Sequence, residues 1–178
     1  MSIPDFQAVM RPLLEIVQDG VPRTLAEVRD AICNKFSLTD EERRELIASG
    51  RQTVIQNRVG WARTYMNKAG LLEIPERGKV QITERGLHAL RNGPDRINVA
   101  WLKQFPEFEQ FHTHRPAQDV IPAKNESDSF PDVSATPDEQ LEAVHRTLMS
   151  ELANELLSTI KGASPLFFER LVFDLMIA

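Results

Sequence analysis

The chain has 178 residues, 42% of them hydrophobic, which suits one or two domains with at least one real core. Its net charge of −5 disfavours a polyanionic partner only as an average: residues 1–115 carry 17 Lys/Arg and 15 Asp/Glu, whereas residues 116–178 carry 4 and 11. The single cysteine, Cys33, excludes an internal disulfide and a Cys-cluster zinc site and points to a reducing compartment; with no signal-peptide pattern and no apolar run of roughly 18 residues, the expected location is the cytoplasm and no membrane partner is expected.

In chain order, residues 4–18 predict a first helix with Phe6, Val9, Leu13, Ile16 and Val17 on one stripe. Thr24 and Glu27 have the spacing of a capping box, in which each side chain bonds the other's backbone N–H. The helix they open buries Leu25, Val28, Ile32 and Phe36. Thr39 and Glu42 form a second box, opening a helix through Leu46 and Ile47. Ser49-Gly50 breaks it.

A long helix follows from Thr53. Ile55, Val59, Ala62, Met66 and Ala69 fall on one narrow stripe at helical spacing. Asn57, Gly60, Trp61, Thr64, Asn67 and Lys68 lie opposite, with Arg58 and Arg63 on the flanks. No acid occurs between Glu45 and Glu73, while Arg51, Arg58, Arg63 and Lys68 fall in that gap. A solvated helix normally mixes both signs of charge, so an acid-free helix with four cations suits a polyanion. Gly70 stands where a helix end needs positive φ. Leu71, Leu72 and Ile74 predict a short strand, residues 75–79 a turn with Arg77 and Lys79 at its tip, and Val80 with Ile82 a second strand. Short helices, a recognition helix and a two-stranded basic wing together predict a mainly α winged helix-turn-helix fold over residues 1–111. The partner this predicts is double-stranded DNA. Its expected contacts are Arg51, Arg58, Arg63, Thr64, Asn67 and Lys68 on and before the helix, and Arg77 and Lys79 on the wing, with Asn67 and Thr64 able to reach base edges. Trp61 lies off the core stripe and is expected to pack.

Residues 83–92 predict another helix, capped by Thr83. Residues 98–111 are aromatic-rich and interrupted by Pro106, and are expected to close the domain by packing. His88 is read as a surface residue, since no partner stands at metal-ligand spacing; His112 and His114 look like a metal pair, but H-x-H on its own is a weak signal and no metal is expected. Residues 112–137, with four prolines among Asp, Ser, Asn and Ala, predict a linker. Thr136, Pro137, Asp138 and Glu139 then start a helix to about residue 161, with Leu141, Val144, Leu148, Leu152 and Ile160 on one face. Ser164-Pro165 opens an apolar segment typical of a helix buried in a larger domain, so residues 138–178 are expected to be a helical segment and the truncated start of a catalytic domain.

The stretch QNRVGWARTYMNKAGLLEIPERGKVQITERG resembles the N-terminal domain of the Mrr family of restriction endonucleases, and SPLFFERLVFDLMIA resembles the start of that family's catalytic domain. The resemblance implies a DNA-binding N-terminal domain followed by a PD-(D/E)-x-K nuclease that cleaves modified, typically methylated, DNA with magnesium. Such cleavage needs carboxylates to hold Mg²⁺ and a lysine to help activate water. Residues 163–178 offer only Glu169 and Asp174, with Lys161 nearby. The chain is therefore expected to have no catalytic residue and no cofactor of its own, and to be inactive alone. The alternative reading is a non-catalytic winged-helix regulator that forms a homodimer through the C-terminal helices. A third is a winged helix for protein contacts, whose function would survive replacing Arg58, Arg63 and Lys68 by Glu.

Overall fold

The computed structural model describes residues 3–113 and 135–177. They fall into two units, Met1–Pro137 and Asp138–Ala178.

In the first unit, α1 (Phe6–Ile16) starts two residues after the expected Pro4, because Asp5 caps it. The Asp5 carboxylate accepts from the backbone N–H of Gln7 and Ala8 at 2.9 and 2.8 Å. Both expected capping boxes form, at α2 (Leu25–Lys35) and α3 (Asp40–Arg44). α3 stops before Leu46, which leaves the helix to bridge Thr53. Next come α4 (Val54–Lys68), α5 (Glu84–Asn92), α6 (Val99–Leu102) and α7 (Pro106–Thr113). Pro106 is thus the first residue of a helix, where its missing N–H costs nothing, and α7 runs two residues past the expected domain end.

The wing has three strands where two were expected. β2 (Leu72–Glu73) and β3 (Lys79–Ile82) pair antiparallel, and β1 (Arg23–Thr24) adds to the free side of β3, giving the order β1-β3-β2. Arg23 lies opposite Val80 and Thr24 opposite Lys79. The element order, helix, strand, two helices, long helix, then a hairpin that returns to the first strand, is winged-helix-like.

The core is one cluster that includes Phe6, Met10, Leu13, Ile32, Ile55, Met66, Leu71 and Phe108, all nearly inaccessible. α4 runs through it, touching α1, α2, α3, α6, α7 and β2. Gly70 (φ +70°) turns the chain from α4 into the hairpin. Gly86 lets α5 approach: a Cβ there would sit 2.3 Å from the Leu71 carbonyl oxygen.

The second unit holds α8 (Pro137–Gly162, its first residue in the first unit) and α9 (Pro165–Ile177). Among the described residues no helix is long and apolar enough to cross a membrane. The interval 114–134, which contains His114 and most of the expected linker, lies outside the described residues.

Candidate nucleic-acid interface

Thr53 caps α4 by accepting from the Gln56 N–H, and no acid stands in the first turn. The expected stripe, Ile55, Val59, Ala62, Met66 and Ala69, is buried throughout. The rest of the helix surface divides into two flanks.

One flank faces the chain's own N-terminus and α7. Arg58 donates to the carbonyl oxygens of Ile3 and Pro4 at 2.7 and 3.1 Å. Trp61 is half-buried and meets Tyr65 edge-on, with centroids 5.8 Å apart. Tyr65 in turn meets Phe6, Phe108 and Phe111. Burial in this aromatic cluster pushes its phenol pKa up. Lys68 is exposed and lies 5.2 Å from the centroid of the Phe111 ring, a cation–π distance. Thr64 donates back to the Gly60 carbonyl at 3.0 Å. Asn57, expected to face outward, is buried because Thr136 lies over it; the Thr136 hydroxyl donates to its side-chain oxygen at 2.7 Å.

The other flank faces α2 and the hairpin. At spacings i, i+4, i+7 and i+11 it carries Gln56, Gly60, Arg63 and Asn67. Asn67 donates to the Leu72 carbonyl at 2.9 Å and so fixes where β2 leaves the helix. Arg63 is half-buried, and its Nε is buried with no acceptor among the described residues. Gln56 is exposed. Gly60 borders an apolar cleft of about 240 Å³ with Val59 and Gln56 on α4 and Leu25, Ala26 and Arg29 on α2.

The hairpin tip closes on the same side. The Leu25 N–H donates to the Gly78 carbonyl at 3.2 Å, which ties the tip to the start of α2. Arg77 is exposed at the tip. Lys79 pairs with Glu76 at 2.8 Å, and this hydrogen-bonded pair raises the lysine's pKa and lowers the carboxylate's. Arg51 is exposed in the turn before α4. The eight expected contacts therefore do not form one surface. Arg63 lies on the flank that meets α2 and Arg58 on the flank that meets the chain's start, while Asn67 and Lys68 line a common depression with Glu107, Gln110 and Phe111. Sequence reasoning passed over Gln56, Arg29 and the cleft; a glycine in the middle of an otherwise regular helix was the available signal.

This arrangement defines a class: a mainly helical, winged-helix-like domain whose central helix lacks acids and stands beside a hairpin with Arg77 and Lys79 at its tip. Residues 6–92 match the Mrr N-terminal domain. Over 190 aligned residues it is 27% identical to the type IV methyl-directed restriction enzyme EcoKMrr of Escherichia coli (strain K12), an alignment covering 99% of this chain and 59% of that relative. The chain thus spans less than two thirds of the relative's length. No solved structure matches.

Among the described residues no group of three or more His, Cys, Asp or Glu side chains is placed to hold a metal ion. The described residues therefore do not supply the carboxylate cluster that a nuclease's magnesium site needs.

Proposed function

We propose that the first unit binds double-stranded DNA as the recognition part of an Mrr-like restriction endonuclease acting on modified DNA. The observation that carries this reading is the junction of the Gly78 carbonyl with the Leu25 N–H, which brings a tip bearing Arg77 and Lys79 to the start of α2, the helix that faces the acid-free flank of α4. Arg77, Lys79, Arg63 and Arg51 neutralise phosphates; Gln56 and Asn67 stand on the side of α4 that meets base edges. The methyl-directed activity of the relative supports a preference for methylated duplexes. Cleavage belongs to residues other than those described.

The test is titration of fluorescent duplex DNA at several salt concentrations. The expected result is a log–log slope of roughly one unit per phosphate-contacting cation. Absent or salt-independent binding would refute the reading. The exposed Leu141, Val144, Leu148 and Leu152 of α8 favour a second reading, a non-catalytic regulator dimerising through this helix. Sedimentation of the purified chain separates the two, because only the regulator requires a dimer at the concentrations at which DNA binds.

A further inference from the structure

Half-buried arginines of the first unit are held by acceptors of the fold, with one exception. Arg11, Arg23, Arg29, Arg43 and Arg58 each donate to a carboxylate or to a main-chain carbonyl. Arg63 is half-buried too, yet its Nε is enclosed with no acceptor, and no carboxylate, carbonyl or ring partners its guanidinium among the described residues. Exposed cations such as Arg51 and Arg77 keep their hydration. An N–H that has left water without finding an acceptor costs stability instead. A methionine, close to the same length and apolar, would fill the position without that cost. Nothing inside the fold therefore calls for arginine at position 63.

We infer that Arg63 is the anchoring contact of the DNA-binding flank, and that a pair of acceptors on the duplex completes its hydrogen bonding: N7 and O6 of a guanine, or two oxygens of one phosphate. The inference rests on the DNA-binding reading above. A guanidinium is a planar fork that matches two acceptors at once. Only Nε is enclosed, so the terminal nitrogens stay open to a ligand while the stem is confined. Confinement reduces the rotamer freedom lost on binding. No acid of α4 competes for the fork, since none occurs between Glu45 and Glu73. Gln56, exposed two turns earlier on the same flank, continues the polar face toward the start of the helix. The enclosed N–H that weakens the free protein is thus the group that waits for the duplex. With guanine as the acceptor, Arg63 is the specificity-determining residue; with phosphate, it fixes register.

The experiment uses the 178-residue chain. Random-sequence duplex is selected on the wild type, and the recovered duplex is also made with 7-deazaguanine, which lacks N7, in place of guanine. Binding is read by fluorescence anisotropy at several salt concentrations, and stability by urea unfolding followed by tryptophan fluorescence. In Arg63→Met the urea midpoint should equal or exceed that of the wild type, while affinity falls at least about tenfold. Arg63→Lys, which keeps the charge and loses the fork, should fall nearly as far. If guanine is the acceptor, 7-deazaguanine weakens binding by the wild type and not by Arg63→Met. If phosphate is, 7-deazaguanine changes neither, and Arg63→Met lowers the log–log salt slope by about one unit. A lower urea midpoint in Arg63→Met, undiminished affinity in Arg63→Met or Arg63→Lys, or a loss of affinity with neither signature would overturn the inference and leave the DNA reading intact. No binding of any duplex by the wild type would overturn the DNA reading, and this inference with it.

Discussion

α4 and α8 make an instructive pair. Each is a long helix with an apolar stripe at helical spacing, and on paper the two stripes look equally in need of cover. In α4 the stripe is sealed: Val59, Ala62 and Met66 are inaccessible, and five helices and a strand enclose it. In α8, Leu141, Val144, Leu148, Leu152, Leu156 and Leu157 are each at least half exposed. Periodicity states which side of a helix is apolar, and says nothing about what arrives to cover it. The same applies to the polar sides. Arg58 and Arg63 flank the same stripe in the sequence, yet the first is engaged by the chain's own start and the second is not.

The sharpest way to break the comparison is to truncate one residue from each stripe. Met66→Ala removes a fully buried side chain and should destabilise the first unit by about 2–5 kcal/mol, the usual range for such a cavity. Leu148→Ala should leave the same transition within roughly 0.5 kcal/mol. Both tryptophans, Trp61 and Trp101, lie in the first unit, so urea unfolding followed by tryptophan fluorescence reads that unit alone. A large loss in Leu148→Ala would mean that the α8 stripe is covered after all.

Arg58→Ala comes next. It removes two hydrogen bonds from a guanidinium to main-chain carbonyls and should cost about 1–2 kcal/mol of stability. Lysine should restore part of it, because both bonds leave the single Nη1 nitrogen and an ammonium carries three donors. If Arg58 acts only as this strap, the salt slope of DNA binding stays as it is. A slope lower by one unit would instead place Arg58 on a phosphate, as its position beside the apolar stripe suggested.

Arg77→Ala has the opposite signature. The residue is exposed at the hairpin tip, and its loss should change stability by less than about 0.5 kcal/mol. The salt slope should fall by about one unit, and binding should weaken evenly across sequences. Unchanged DNA binding would remove the wing from the interface and leave α4 to carry it.

Much of this was legible before any coordinates, and what was legible is local. The caps at Thr24, Thr39 and Thr83 follow from a side-chain oxygen reaching an N–H three residues ahead, and all three form. The stripe of α4 follows from helical geometry. What could not be read depends on neighbours distant in sequence. β1 is two residues, Arg23 and Thr24, with no periodic signal; it is a strand only because β3 offers an unpaired edge 55 or more residues later. Asn57 is buried by Thr136, 79 residues away, so a residue opposite the stripe was expected in solvent. The cleft at Gly60 needs α2 as its second wall.

The smallest effect tests the local devices themselves. Glu27 and Glu42 accept from the backbone N–H of Thr24 and Thr39 at 2.7 and 2.9 Å, and these bonds hold both carboxyl pKa values below the ordinary glutamate value. A carboxyl whose folded pKa is depressed stabilises the fold above its unfolded pKa, and that contribution is lost as the pH falls through the folded value. Acidification through the carboxylate range should therefore lower the urea midpoint of the wild type more than that of Glu27→Gln, Glu42→Gln, in which the amide still accepts the bond but does not titrate. Because both groups are solvent-exposed, the difference should be small and should shrink with added salt. Identical acid dependence in the two proteins would mean that the boxes position the starts of α2 and α3 without contributing to the pH response.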